Sequence, residues 1–329
     1  MKYLKKVRSK LDLFEKLLGL YSVSSYEEEF GKFLINYYTD LGYKAHFDKA
    51  GNVLAFKKKT PAVALVSHMD TVGFMIVKEE KPGYYKLNTI GGPFFENLDD
   101  AICFSKGKEI PGILYKDKND QRVGYFEALS LSKGKSLEPG DLVSYSKYFK
   151  SIGDTIVSPS LDDKSCVFIM LLIAEILKNK DHDFLFCHTV REEFGMLGSK
   201  ALPYSFPDSI KQALTLDIVY ADSTLFAADP VIGKGTGICF KDSSSGERKV
   251  IKNLINTAKK ANIPYQIEIV TGGGSDLSEI YWQKGGIETG YIGVPTKNCH
   301  SNREICSISD IASSIELLMI YENKLRKSK

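Results

Sequence analysis

Apolar strand-like runs alternate with helical segments through most of this 329-residue chain, and the alternation stops between residues 73 and 153. Before the interruption, residues 9–20 carry helical periodicity. "SSYEEEFGKFLINYYTDLG" reads as a helix opened by a capping box from Ser25 to Glu28 and stopped at Gly42. "KAHFDKAGNVLAFKKK" reads as two strands about a turn at Ala50, Gly51 and Asn52, and "PAVALVSHMD" as a short apolar strand that breaks at His68. After the interruption, "DDKSCVFIMLLIAEILKNK" predicts a buried helix, "DFLFCHTV" a buried strand and "KQALTLDIV" another strand. "GERKVIKNLINTAKKANI" is an amphipathic helix, "YQIEIV" a strand, "DLSEIYWQKG" a helix, "IETGYIGV" a strand and "ISDIASSIELLMIYENKL" a closing helix. Such alternation predicts an α/β fold: a mostly parallel central sheet flanked by helices.

Within the interruption, "KPG", "GGP", "IPG", "SKGK" and "EPGD" punctuate short alternating segments such as "YYKLNTI" and "DLVSYSKYF". Turns at this density with no helical period predict a small β domain. The expected organisation is a catalytic domain of residues 1–72 and 154–329, with an inserted β domain at 73–153.

Charge and composition exclude several function classes. A net charge of +3 is small for this length, and the lysines are scattered, so neither nucleic acid nor an anionic membrane is expected as partner. The longest apolar stretch, "CVFIMLLIAEIL", is too short to span a bilayer and contains Glu175. Near the N-terminus, Asp12, Glu15 and Lys16 interrupt any signal-peptide core. The six cysteines form no CxxC pair and read as buried thiols of a reducing compartment, which points to the cytoplasm.

In open α/β sheets, ligands bind beyond the carboxyl ends of the strands. The polar residues that follow predicted strands are therefore informative. His68 and Asp70 follow "AVALVS", Glu192 and Glu193 follow "FLFCHTV", Asp217 ends "QALTL", and His300 lies beyond "TGYIGVP". Asp162 and Asp163 sit just before a helix in "SLDDK". Imidazole and carboxylate donors suit zinc, cobalt or manganese, and no thiolate is required. Two metals need a bridging ligand, which a carboxylate can provide. Of two adjacent glutamates, one can then ligate while its neighbour takes a proton from water.

The segments "SHMDTVGF", "SLDDKS", "REEFGMLGSKAL", "TLDIVYAD", "GGGSDL" and "PTKNCHSNREI" together make the chain resemble the M42 metallo-aminopeptidases, of the tetrahedral or glutamyl aminopeptidase type. The resemblance implies a dinuclear metal-dependent enzyme that removes the N-terminal residue of peptides, with a hydroxide bridging two divalent ions as nucleophile. Zinc or cobalt is expected, manganese less so. It implies His68 and Asp217 on one metal, Glu193 and His300 on the other, and Asp162 bridging them. It also implies Glu192 as general base and Asp70 behind His68, accepting its other ring N–H. It further implies dimers joined into a twelve-subunit tetrahedral shell, with the inserted segment taking part in assembly. Departures from the family pattern fall at Thr71, Lys164, Ser275 and Lys297; the last two bear on specificity rather than on chemistry.

Blander readings attach to other residues. Asp163 reads as a helix cap or as a group supporting a ligand, Asp99–Asp100 as surface, and His188 as structural within its strand. His46 and His182 have no partner pattern. "GGGSDL" lacks the lysine of a phosphate loop and reads as close backbone approach to the site; "GKGTG" is too weak for a nucleotide claim. Two alternatives share the metal core: an amidase or deacylase acting on small acylated amines, and a non-catalytic peptide-binding homologue. A glycosidase would need its carboxylates roughly 5–9.5 Å apart, which adjacent residues rarely achieve.

Overall fold

The computed structural model of the protein describes residues 1–118, 120, 123–131, 136–206, 208–221, 229–241, 245–282 and 286–327. Its centre is an eight-stranded sheet. In spatial order the strands are Lys44–Phe47, Val53–Phe56, Phe184–Thr189, Val63–His68, Gln212–Tyr220, Glu288–Thr296, Thr236–Lys241 and Tyr265–Ile269. The middle strands Phe184–Thr189, Val63–His68, Gln212–Tyr220 and Glu288–Thr296 pair parallel, as do the last two. The pairings of Val53–Phe56 with its two neighbours and of Thr236–Lys241 with Glu288–Thr296 are antiparallel, so the sheet is mixed.

Both faces of the middle strands are buried, which is why they read as unbroken apolar runs. Val63, Leu65, Phe184 and Phe186 belong to the core on one face. Ala64, Val66, Leu185 and Cys187, one residue out of phase, belong to a second core on the other. The first core is covered by helix Leu161–Leu177, which packs on strand Gln212–Tyr220 and on helix Ile308–Lys327. Phe168 of that helix stacks on Phe14 with ring centroids 4.5 Å apart. Apart from the half-buried Ile176, its Leu, Ile, Met and Phe side chains are almost fully buried, as the sequence predicts for a helix that is apolar all round.

Strands Gly73–Lys81, Tyr84–Ile90, Val123–Ala128, Lys108–Lys116, Asp99–Ser105 and Leu142–Tyr145 close into a barrel with antiparallel pairing throughout. The barrel has its own core, including Phe74, Tyr85, Leu87, Leu114, Phe126 and Val143. Asp99 and Asp100, read as surface from sequence, begin one of these strands, half-buried and exposed respectively, and Asp99 accepts hydrogen bonds from Glu96 N and from Asn302 Nδ2. The chain leaves the central sheet at His68 and enters the barrel at Gly73. It returns through a small three-stranded sheet, Lys150–Ile152, Thr155–Ser158 and Glu304–Ser307, which delivers it to Asp162.

Two helices differ from expectation. The capping box at Ser25 does not form: the helix runs Glu28–Asp40, and Glu27 Oε1 accepts the Ser25 N–H at 2.8 Å and the Arg191 N–H at 3.1 Å. Glu27 thereby ties the N-terminal segment to the turn that carries the paired glutamates, a long-range use of the carboxylate that local pattern cannot reveal. The predicted helix "DLSEIYWQKG" is one turn, Leu277–Ile280, among the described residues.

The turn that carries Glu192 and Glu193 closes tightly on itself. Gly198 N donates to Val190 O at 2.9 Å, while Asn52 accepts from Val190 N and donates to Gly198 O. A Cβ at residue 198 would lie 2.4 Å from Val190 O and 2.5 Å from Asn52 Oδ1. Gly198→Ala should therefore destabilise the protein by about 1–3 kcal/mol through overpacking. An unchanged urea-unfolding midpoint would show that the turn can open to admit the methyl group.

Candidate metal centre

The parallel strands bring distant chemistry to one end of the sheet. His68 is the last residue of Val63–His68 and lies in register with Thr189, the last of Phe184–Thr189, so Glu192 and Glu193 follow directly alongside it. Asp217 follows "QALTL" inside its strand, which runs to Tyr220, close to the predicted "KQALTLDIV". Its carboxylate is buried and accepts the Ile218 N–H at 2.7 Å. Asp162 and Asp163 stand at the head of helix Leu161–Leu177 in non-helical conformation, and the peptide bond between them is cis.

Asp162 is the centre of the cluster. Its Oδ1 lies 3.0 Å from His68 Nε2 and its Oδ2 lies 3.3 Å from His300 Nε2, so each carboxylate oxygen faces one imidazole. On the His68 side, Asp217 Oδ1 is 3.8 Å from the same Nε2. On the His300 side, Glu193 Oε1 is 3.0 Å from His300 Nε2. The other four sequence-predicted ligands are thus gathered about Asp162, and Glu192 shares their cavity.

Each imidazole is fixed from behind. His68 Nδ1 lies 3.0 Å from the backbone carbonyl of Asp70, whereas the Asp70 carboxylate stands 3.7 Å away. The expectation that this carboxylate accepts the ring N–H is corrected here: the main chain of Asp70 does so. The carboxylate instead accepts hydrogen bonds from Glu192 N at 2.9 Å, from Glu193 N at 3.1 Å and from Ser24 Oγ, and so holds the paired glutamates. His300 Nδ1 lies 3.2 Å from Gly92 O, in the segment after barrel strand Tyr84–Ile90. Phe94 N and Tyr145 Oη both donate to His300 O. In both rings Nδ1 faces a carbonyl acceptor, which orients the ring so that Nε2 is directed at the cluster.

Glu304 was not singled out from sequence. It is buried, its Oε2 accepts the Asp162 N–H at 3.0 Å, and its Oε1 accepts the His300 N–H at 2.6 Å. One carboxylate thereby positions the central aspartate and the second histidine. Cys299 was also missed: its Sγ lies 3.0 Å from Asp162 Oδ2. Asp163 is fully buried, and its Oδ2 accepts from Ser67 Oγ at 2.6 Å, a bond that supports the strand carrying His68.

The electrostatics are those of a site short of positive charge. Burial works against ionisation of Asp162, but hydrogen bonds from His300 and His68 hold its carboxyl well below the usual range. Burial, with Asp162 close by, pushes Asp217 up to about 7. Burial raises the Glu192 carboxyl well above its ordinary value, and the neighbouring Glu193 adds to this. Glu304 rises to about 8, mainly through burial and the charge of Asp162. So many buried carboxylates beside so few cations are unfavourable without a further positive partner. Glu193 Oε1 is buried and accepts no hydrogen bond, although His300 Nε2 is 3.0 Å away. A buried carboxylate oxygen without a hydrogen bond, close to an imidazole nitrogen, fits a divalent ion, and the donor types suit zinc, cobalt or manganese. The cavity in front of the cluster measures about 280 Å³, and Gly195, Met196, Ile218, Tyr220, Glu268, Gly273, Gly274 and Tyr291 complete its lining.

The remaining sequence candidates find structural roles. His188 is buried 2.9 Å from Tyr38 Oη, and burial lowers it to about 3, so it is a neutral core residue. His182 is buried against Tyr43 Oη, while His46 is exposed. In "GKGTG", the N–H groups of Gly233 and Gly235 both donate to the Asp310 carboxylate at 2.7 Å, so this loop grips a side chain of the protein itself. In "GGGSDL", Gly273 and Gly274 line the cavity, Ser275 is buried, and Asp276 accepts from Thr189 Oγ1.

Comparison with known proteins agrees with this architecture. A family model described as M42 glutamyl aminopeptidase matches residues 51–122 and 126–317. The chain is 30% identical over 323 residues to a putative aminopeptidase of Acetivibrio thermocellus, covering 94% of this chain and 97% of that protein. The structure of an aminopeptidase from the archaeon Desulfurococcus kamchatkensis superposes with a TM-score of 0.87 at 24% identity, covering 97% of this chain and 95% of that one. That of the Pyrococcus horikoshii TET1 peptidase, which can assemble into a tetrahedron or a large octahedral shell, gives a TM-score of 0.79 at 22% identity, with 96% and 99% covered. These two likenesses speak to the fold; the family match spans most of the sequence, and the chain belongs to the M42 glutamyl aminopeptidase family.

Proposed function

We propose that this protein is a dinuclear metal-dependent aminopeptidase that removes the N-terminal residue from peptides with a free amino terminus. The observation that carries the reading is Asp162, whose two oxygens each face a different imidazole. In this reading His68, Asp162 and Asp217 hold one ion, and Asp162, Glu193 and His300 hold the other. When bound, two divalent ions would polarise the peptide carbonyl and lower the pKa of the attacking water. Glu192, which lines the cavity beside the ligand Glu193, accepts the proton of that water and passes it to the leaving amine. The Asp70 carboxylate, through the Glu192 and Glu193 N–H groups, keeps base and ligand from exchanging places. His68, Asp162, Glu192, Glu193, Asp217 and His300 all line the same cavity, which fits a small substrate end rather than a folded chain.

The domain reading follows the same lines. Residues 1–72 and 154–329 form the catalytic unit, and 73–153 form an inserted unit with its own core. We read the protein as a homo-oligomer, between dimer and dodecamer, because a related peptidase assembles into closed shells. Among the described residues no helix is long and apolar enough to cross a membrane. Light scattering of the full chain checks the assembly; a monomer at every concentration would overturn it.

Glu192→Gln should lower kcat by about 10²–10⁴-fold while metal content stays that of the unaltered protein, since an amide cannot accept the proton. Near-normal turnover of an aminoacyl p-nitroanilide by the metal-loaded variant would remove Glu192 from the base role. Asp162→Ala should lose both ions, whereas His68→Ala and His300→Ala should each lose a different one. Elemental analysis that finds Asp162→Ala still holding one ion at full occupancy would exclude the bridge.

A further inference from the structure

We propose that the thiol of Cys299 ligates the ion on the His300 side, so that this site joins imidazole, carboxylate and thiolate. The inference rests on the two-ion reading above and deepens it. Cys299 Sγ, a carboxylate oxygen of Asp162 and a ring nitrogen of His300 all lie within 4.8 Å of one another. Sγ itself is 3.0 Å from Asp162 Oδ2, the oxygen that faces His300. The independent sign that an ion belongs there is Glu193 Oε1, buried, without a hydrogen bond, and 3.0 Å from His300 Nε2.

The backbone explains how neighbours 299 and 300 converge. In an extended segment consecutive side chains point to opposite faces. Here Asn298 and His300 have φ of 54° and 66°, a left-handed conformation that L-residues enter at a cost. The bend turns Cys299 and His300 toward the same aspartate. It is held by Glu304 on His300 N and by Asn298 Nδ2 on Arg303 O. The other cysteines, Cys103, Cys166, Cys187, Cys239 and Cys306, are buried, and Cys166 donates to the backbone carbonyl of Asp217. Cys299 alone is partly exposed and aimed at ligand oxygen.

The chemistry balances without a further reactant. When a divalent ion enters, the Cys299 S–H bond breaks, its proton passes to solvent, and the sulfur electron pair forms the metal bond. A thiolate favours zinc or cobalt over manganese, so one residue would bias which ion the His300 side retains.

The test is a cobalt titration of the metal-free full-length protein, followed in the near ultraviolet where sulfur-to-cobalt charge transfer absorbs. The unaltered chain should develop the band as one of its two ions binds. Cys299→Ser should still bind two cobalt ions and lack the band. Its zinc affinity at one of the two sites, the one that His300→Ala also weakens, should fall by at least roughly tenfold, with manganese affinity unchanged. Two bound cobalt ions without the band in the unaltered chain, a result that needs no variant, would overturn the ligand role. A band that survives in Cys299→Ser would overturn it as well. No cobalt binding at all would instead overturn the two-ion reading itself.

Discussion

A single buried carboxylate sits between two imidazoles, and most of the surrounding structure serves to keep it there. Asp162 cannot be placed by its own helix, because its backbone conformation is not helical. It is positioned by Glu304, which reaches its N–H from the strand paired with Thr155–Ser158. Glu304 simultaneously holds the His300 N–H. The Asp162 and His300 backbones are therefore tied to each other through one carboxylate and the sheet that carries it. Buried polar networks of this kind specify a geometry only when each member is held, and here the supporting groups are as buried as the ligands.

The two acidic clusters of the sequence divide the labour by burial and by what they accept. Asp70 accepts three donors and is spent on structure; its partners are the N–H groups of the paired glutamates and a serine hydroxyl. Glu193 leaves a buried oxygen without a hydrogen bond. Carboxylates that burial drives up toward neutrality, as at Asp217 and Glu192, describe a pocket whose charge is incomplete. A divalent ion answers that shortage more fully than a lysine could; the nearby Lys164 ammonium is instead used on Leu20 O and over the Phe30 ring.

The barrel is more than an appendage between two ligands. Its segment Gly91–Phe94 contributes the carbonyl of Gly92 to His300 Nδ1, and Phe94 and Tyr145 bind the His300 carbonyl. A Cβ on Gly91 would come within 3.1 Å of Glu193 Oε2, so the absence of a side chain there lets the segment pass close to the ligand. The chain departs after His68 and returns before Asp162, and loop-closure cost grows only slowly with the length in between. The insertion can thus be large while the ligands on either side of it still meet.

What the sequence by itself determined is what local periodicity and strand-end chemistry carry. Unbroken apolar runs such as Val63–His68 and Phe184–Thr189 announce strands buried on both faces, and dense turns announce the barrel. His68, Glu192, Glu193 and His300 stand where strands end, the place at which an α/β sheet binds ligands. Tertiary structure alone decided how these residues are supported. Glu27 reads locally as a capping-box neighbour, yet it binds the Arg191 N–H far along the chain. Asp70 reads as a partner for the His68 ring, yet its carboxylate goes to the glutamates while its carbonyl takes the ring nitrogen. Glu304 and Cys299 carry no periodic signal; their roles arise because a left-handed bend and a cross-sheet carboxylate turn them toward Asp162. A hydrogen bond between residues more than a hundred positions apart is fixed by packing, not by the pattern around either partner, and so it is legible only once the chain has folded.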